Sequence, residues 1–227
     1  MIVSVHQPQY LPWLGYFDKI DRADAFVLLD TVQYKKNEWQ NRNRIKTAQG
    51  PQWLTVPVTY RYPQLICEVG VNGRERWQHR HQQALATNYR KAPHWRCLEG
   101  HFEEIFCRNW ETVSELNIHV VKRLAALLGI ATPIHVASEL GSFPEDPDER
   151  LIALTKHFGA GTYLAGGGGR DYMDLEKYER AGVEVLFQDY RHPRYSQLFG
   201  EFEPNMSVID LIYNHAEKSL SILRGLS

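Results

Sequence analysis

"IVSVHQPQYLPWLGYFDKIDRADAFVLLD", residues 2–30, decides the fold. Ile2 to Val5 is a short β-branched run, suited to a strand buried on both faces. Ala25 to Leu29 is a second apolar run, and it ends on Asp30. Between them Leu14, Phe17 and Ile20 recur about one helical turn apart, which predicts a short helix from Leu14 to Arg22. Strands joined in this way lie parallel, with the helix as the crossover. The stretch therefore predicts an α/β fold with a Rossmann-like parallel sheet. The segment from His6 to Trp13 is rich in rings and prolines, poor material for a helix or strand interior. It reads as a shaped loop after a strand, where such sheets hold ligands.

Working outward, the same alternation returns late in the chain. Thr162 to Ala165 (TYLA) is a strand that runs into Gly166 to Gly169, a helix follows in YMDLEKYERAG, and Val183 to Leu186 is the next strand. Ile134 to Ala137 is a short strand, and Asp148 to Phe158 is a helix starting after Pro147. From Glu75 to Leu128 apolar residues recur at helical steps, punctuated by Pro93 and Gly129. Residues 31–47 are polar and cationic without periodicity. Gln52 to Val58 is a strand candidate that Pro57 puts at an edge or an end, and residues 65–71 form another. Residues 189–206 are loop-like. Ser207 caps a last helix, with Asp210 completing something close to a capping box. The expected organisation is a single α/β domain over 1–227 that carries a helical insertion at about 75–128.

Composition narrows the function. The formal net charge is −1, so nothing global attracts nucleic acid or an acidic membrane surface, and no nucleic-acid partner is expected. No apolar run approaches the roughly 18–20 residues of a membrane span, and the opening shows no signal-peptide pattern. Cys67, Cys97 and Cys107 are scattered and make no disulfide framework. Together these predict a cytoplasmic protein without membrane insertion.

Four constellations carry chemistry. In the first, His6 at a strand end can act as acid or base, and the free N–H groups where Gly15 opens a helix can hold an anion. Gln7, Tyr10, Trp13 and Tyr16 complete that loop, with Trp13 and Tyr16 suited to stacking on sugar or base; the plain alternative is a packed plug. In the second, Asp30 at a strand end is followed by a cationic, amide-rich run with Lys36, Asn37, Trp39, Arg42, Asn43 and Arg44. Guanidiniums and amides suit phosphates and hydroxyls, against the plain alternative of a solvated basic face. In the third, Gly166, Gly167 and Gly168 let a ligand approach the backbone, with Arg170 and Asp171 beside them. The pattern is neither a dinucleotide fingerprint nor a Walker loop. In the fourth, Tyr195 and Gln197 sit with His192 and Arg194 in an irregular stretch. No metal set is visible, because His79 and His81 do not share a helix face.

Taken together, "HQPQYLPWLGYFDKI", "DTVQYKKNEWQNRNRIKT", "TYLAGGGGRDY" and "HPRYSQLFGEFEPNMSVIDLIYNH" resemble the WbqC-like protein family, nearly end to end and least in the helical middle. The resemblance implies a bacterial cytoplasmic protein associated with O-antigen and other surface-polysaccharide gene clusters. Family members commonly carry Ser before the first glycine of the third motif, where this chain has Ala165, so that hydroxyl is missing. The opening also resembles nucleotidylyltransferase-like folds, including pantothenate-synthetase-type ligases, which hold ATP phosphates with an HxGH motif. Here Pro12 to Tyr16 occupies that place without either histidine, so the likeness supports the fold more than the ATP chemistry.

Three functions fit these residues. The first is a transferase acting on a nucleotide-linked amino sugar in surface-polysaccharide biosynthesis, attaching an acyl or aminoacyl group to its amine. His6 would be the acid/base, Asp30 would orient it or accept from the amine, and Arg42, Arg44 and Arg170 would bind phosphate or carboxylate. The second is an ATP-using ligase. The third is a non-catalytic scaffold of a glycan-assembly pathway. The cofactor stays open between ATP and an acyl donor.

Overall fold

The computed structural model describes residues 1–226. The opening unit is β1 (Ile2–His6), α1 (Leu14–Asp21) and β2 (Ala25–Leu28). β3 (Arg42–Thr47) and β4 (Gly50–Thr55) form an antiparallel hairpin, and β5 (Val58–Thr59) pairs with β6 (Gly70–Val71). The helices α2 (Trp77–Tyr89), α3 (Trp95–Cys107) and α4 (Val113–Leu128) follow. Then come β7 (Ile134–Val136), α5 (Ala137–Leu140), α6 (Pro147–His157), β8 (Thr162–Ala165), α7 (Leu175–Arg180), β9 (Glu184–Phe187), α8 (Val208–His215) and α9 (Ser219–Leu223). The central sheet has five strands in the order β7-β2-β1-β8-β9, all parallel. The fold is therefore α/β and Rossmann-like, as the opening stretch predicts. No helix among the described residues is long and apolar enough to cross a membrane.

Strand alternation sorts the side chains into two cores. Val3, Val5, Ala25 and Val27 face α6 and α7, where they pack with Ile152, Leu154 and Tyr178. Phe26 and Leu28 face the other way, onto Leu14, Phe17 and Ile20 of α1, Leu116 and Val120 of α4, and Ile209 and Ile212 of α8. The helices between are bounded by local chemistry. Thr112 caps α4 by accepting from the Glu115 N–H at 3.1 Å, and Gly129 ends that helix at φ 79°, a conformation glycine adopts without strain. Asp146 caps α6 in the same way, and Pro147 occupies its first turn.

Several local expectations change. Residues 31–47, which show no strand periodicity, nevertheless contain β3 at Arg42–Thr47. Its buried positions include Asn43 and Lys46, polar residues that reach partners, so the strand lacks an apolar stripe. Pro57 separates β4 from β5, so the Gln52–Val58 candidate becomes two strands. Residues 65–71 hold a 3-10 turn at Ile66–Glu68 before β6. The glycines form a second 3-10 turn, Gly167–Asp171, and the helix after them is limited to Leu175–Arg180. Asp210 does not cap α8. Its carboxylate accepts from the Tyr89 hydroxyl at 2.9 Å in the interior.

Asp30 is a latch. It is 1% exposed and accepts from the Ser138 N–H at 3.0 Å, the Ser138 hydroxyl at 2.8 Å and the Ser114 hydroxyl at 3.2 Å. One carboxylate thus pins the starts of α4 and α5 to the end of β2. Asp30→Ala is expected to lower stability by about 3 kcal/mol and Ser138→Ala by about 1 kcal/mol, measured by urea unfolding.

Candidate functional site

From β1 the chain builds outward to β2 and β7 on one side, then returns to place β8 and β9 on the other. The carboxyl ends of β1 and β8 therefore flank the point where strand order reverses, the place where open α/β sheets bind ligands. Ser4 lies opposite Leu164, and continuing that register by two residues sets His6 beside Gly166, the first glycine of the turn.

His6 is half-buried, and its ring packs on Tyr16 with centroids 4.8 Å apart. Its Nδ1 lies 3.1 Å from the Gln7 carbonyl. A carbonyl only accepts, so Nδ1 carries the proton and Nε2 keeps its lone pair. Nε2 has no hydrogen-bond partner among the described residues. Desolvation by burial, then the charge of Lys19, push the His6 pKa down to about 3, so the ring is a neutral base near pH 7.

Lys19 is a group that sequence reasoning missed. It is 3% exposed, its ammonium donates to the Val5 carbonyl at 3.1 Å, and it forms no ion pair with a carboxylate among the described residues. Burial pushes its pKa down to about 7. In the sequence it is one more charge on a short helix. Only packing reveals that it points inward.

Gln188 was also missed. Its N–H donates to the Ala165 carbonyl at 2.9 Å, and its side-chain amide donates to the Gly15 carbonyl at 2.8 Å and to Asp18 Oδ2 at 2.6 Å. One residue thereby ties the end of β8 to the first turn of α1. Asp18 sits beneath it, its pKa raised by burial against the lowering effect of Gln188 and Arg22.

The glycine turn is open where a ligand would approach. A Cβ added at Gly166 or Gly168 would meet nothing within 4 Å, while one at Gly167 would lie 3.2 Å from the Gln188 carbonyl. Arg170 is exposed and lies 4.9 Å over the Phe187 ring, and Asp171 is exposed.

Trp13 is half-buried, with its ring edge-on to Tyr190 at 5.6 Å and stacked near His192 at 6.3 Å. It packs directly on Gly15, where an added Cβ would come within 2.3 Å of the ring. Gly15 is thus required by packing, and the Tyr16 N–H is used by the Trp13 carbonyl at 3.1 Å. Tyr16 is a buried wall beside His6, its hydroxyl donating to the Gln7 carbonyl at 3.0 Å.

Other expected site residues lie apart. Tyr10 is fully buried, with its hydroxyl 2.8 Å from His81 Nδ1. The amides of the second motif support the opening loop: Asn43 donates to the Leu11 carbonyl at 2.7 Å, and Gln40 to the Gln7 side chain at 2.6 Å. Asp30, expected to orient His6, has its three hydrogen bonds on α4 and α5. Arg42 and Arg44 stack over Trp53 at 4.4 and 5.6 Å, and Trp39 packs on the same ring at 5.5 Å, an arrangement filled by the protein itself. Lys36 and Asn37 are exposed nearby. Gln197 spends its amide on Glu203 and Lys46, and Tyr195 packs on Phe202, closing the late loop. No three His, Cys, Asp or Glu side chains among the described residues converge on a metal position.

Known proteins agree with this picture at the level of family. The model of the WbqC-like protein family matches residues 7–222. A relative from Mycobacterium tuberculosis (strain ATCC 25618 / H37Rv), "Uncharacterized protein Rv1507c", is 36% identical over 226 residues, covering 98% of this chain and 97% of its own length. No solved structure matches this chain significantly.

Two outcomes follow for stability. Lys19 titrates near 10.5 when unfolded and about 7 when folded, so between those values the unfolded chain holds more protons and stability rises with pH. Lys19→Met should raise stability near pH 7 by on the order of a few kcal/mol and flatten that rise, read from urea unfolding at several pH values. Gly15→Ala should cost about 1–3 kcal/mol through the Trp13 ring, and less in a Trp13→Ala background, as a double-mutant cycle would report.

Proposed function

The chain belongs to the WbqC-like protein family, and on that premise we propose that it is a transferase acting on a nucleotide-linked amino sugar in surface-polysaccharide assembly. The observation that carries this reading is a neutral histidine with a free Nε2, set beside an open glycine turn where the strand order reverses. An amine attacks only when neutral, so its transfer needs a base within reach, and His6 offers an unprotonated Nε2, weakly basic at a pKa of about 3. The sugar amine attacks the carbonyl carbon of an activated acyl or aminoacyl donor. His6 Nε2 takes the proton lost from nitrogen, and the donor's leaving group departs with the electron pair of the broken bond.

Gly166 and Gly168 leave their backbone open to the phosphates, with Arg170 at the rim to pair with their charge. Trp13, with His192 and Tyr190, offers a ring surface for sugar or base. Asp30 enters this scheme as the latch of the scaffold. A thermal-shift panel of UDP-, dTDP- and GDP-linked amino sugars, acyl-CoA and ATP tests the reading, because a ligand of the native state raises the melting temperature. A shift with a nucleotide-linked amino sugar is expected. A shift with ATP alone would replace the transferase by the ligase, and silence across the panel would favour the scaffold.

His6→Ala should keep the fold and lower the turnover of that substrate by about 100-fold or more. The wild-type rate should show no limb at the ordinary histidine value of 6.5, since His6 is unprotonated well below it. A rate that falls with a pKa near 6.5 and is restored in no variant would contradict the assignment.

A further inference from the structure

We propose that the surface around the β3–β4 hairpin docks the protein peripherally on a membrane that displays anionic lipid headgroups. The charge of the chain is spread unevenly. Its net value is −1, yet residues 31–67 hold Lys35, Lys36, Arg42, Arg44, Lys46 and Arg61 against a single acid, Glu38. None of these cations forms an ion pair with a carboxylate among the described residues. Lys46 is buried against Gln197 and Glu201, and the others reach solvent. The same segment carries exposed rings. Among the described residues the exposed tryptophans are Trp39 at 37% and Trp53 at 43%, and both lie here, with Tyr62 at 81%.

Packing gathers these groups. Arg44 lies opposite Trp53 across the hairpin, and Arg42, two residues earlier, shares its face of the strand. Both guanidiniums lie over the Trp53 ring, at 4.4 Å for Arg42 and 5.6 Å for Arg44. Arg42 also donates to the Asn37 carbonyl, which ties residues 35–39 to the hairpin. The Tyr34 N–H donates to the Gln64 carbonyl at 2.9 Å, and the Tyr34 and Tyr60 rings lie 4.9 Å apart. The turn that bears Arg61 and Tyr62 therefore adjoins the start of the cationic loop.

Indoles and uncompensated cations exposed together suit a lipid surface. Tryptophan settles at the level of the headgroups, and Lys and Arg beside it meet anionic phosphates. A single-stranded nucleic acid would stack its bases on free ring faces, whereas Trp53 already carries the Arg42 guanidinium and packs on Trp39 at 5.5 Å. None of these side chains enters the proposed transfer step, so the inference stands apart from the transferase reading.

Co-sedimentation of the whole protein with lipid vesicles tests this. Vesicles of phosphatidylcholine with about one third phosphatidylglycerol should bind it with a partition constant on the order of 10⁴ M⁻¹ at low salt. Pure phosphatidylcholine should bind it at least about tenfold more weakly, and ~0.5 M salt should release it from the anionic vesicles. The exposed pair Lys35→Gln and Lys36→Gln should weaken binding about tenfold. Trp39→Ser, which keeps the backbone carbonyl that accepts from Tyr10, should weaken it about fivefold. Circular dichroism checks that each variant is folded. Equal binding to the two kinds of vesicle, an unchanged affinity in the double Gln variant, or no binding of the folded wild type to the anionic vesicles would each overturn the proposal. So would binding to a single-stranded oligothymidylate in place of the vesicles.

Discussion

β1 is paired on both sides, so the chain that leaves it must cross the top of the sheet as irregular backbone whose polar groups have few ladder partners. That requirement organises much of the molecule. The Pro8 carbonyl accepts from Asn117 of α4, the Leu11 carbonyl from Asn43 of β3, and the Gln7 carbonyl from Tyr16 of α1. The Tyr10 N–H in turn reaches the Trp39 carbonyl. Helix, hairpin and crossover thus hold one loop in one shape, with Leu11 forced to φ 46°. The arrangement fixes His6 at the foot of the loop, where the β1–β8 register runs toward Gly166.

The groups beneath that loop are charged or titratable side chains held under burial. A lysine with no carboxylate partner among the described residues, a histidine held neutral beside it, and an aspartate kept above its usual pKa by burial gather around α1. A structural core would pair these charges or replace them with apolar groups. Perturbed titratable groups are instead a pattern of functional sites. Gln188, just beyond β9, adds to the β1–β8 pairing by joining the Ala165 carbonyl at the end of β8 to Gly15 and Asp18 of α1.

The alternation of β-branched runs with one-turn apolar spacing made the parallel sheet legible, because those periods reflect burial directly. β3 was illegible for the opposite reason: its buried positions, on both faces of the strand, include Asn43 and Lys46, whose partners lie far away in sequence. The cationic motif was expected to face a ligand, but Arg42, Arg44 and Trp39 stack on Trp53, a residue whose pairing only the hairpin register brings about. Asp30 ends a strand at a ligand-binding edge, yet two serines from later segments take up its carboxylate. Lys19 and Gln188 were silent because a residue type alone does not say which way it points.

Imidazole ¹⁵N NMR of His6, recorded between about pH 4 and 8 with and without a UDP-linked amino sugar, tests the central claim most directly. The account predicts a neutral ring with its proton on Nδ1 across that range, and an Nε2 resonance that moves when the sugar is added. A ring that titrates near its ordinary value of 6.5, and that no nucleotide-linked amino sugar perturbs, would contradict it.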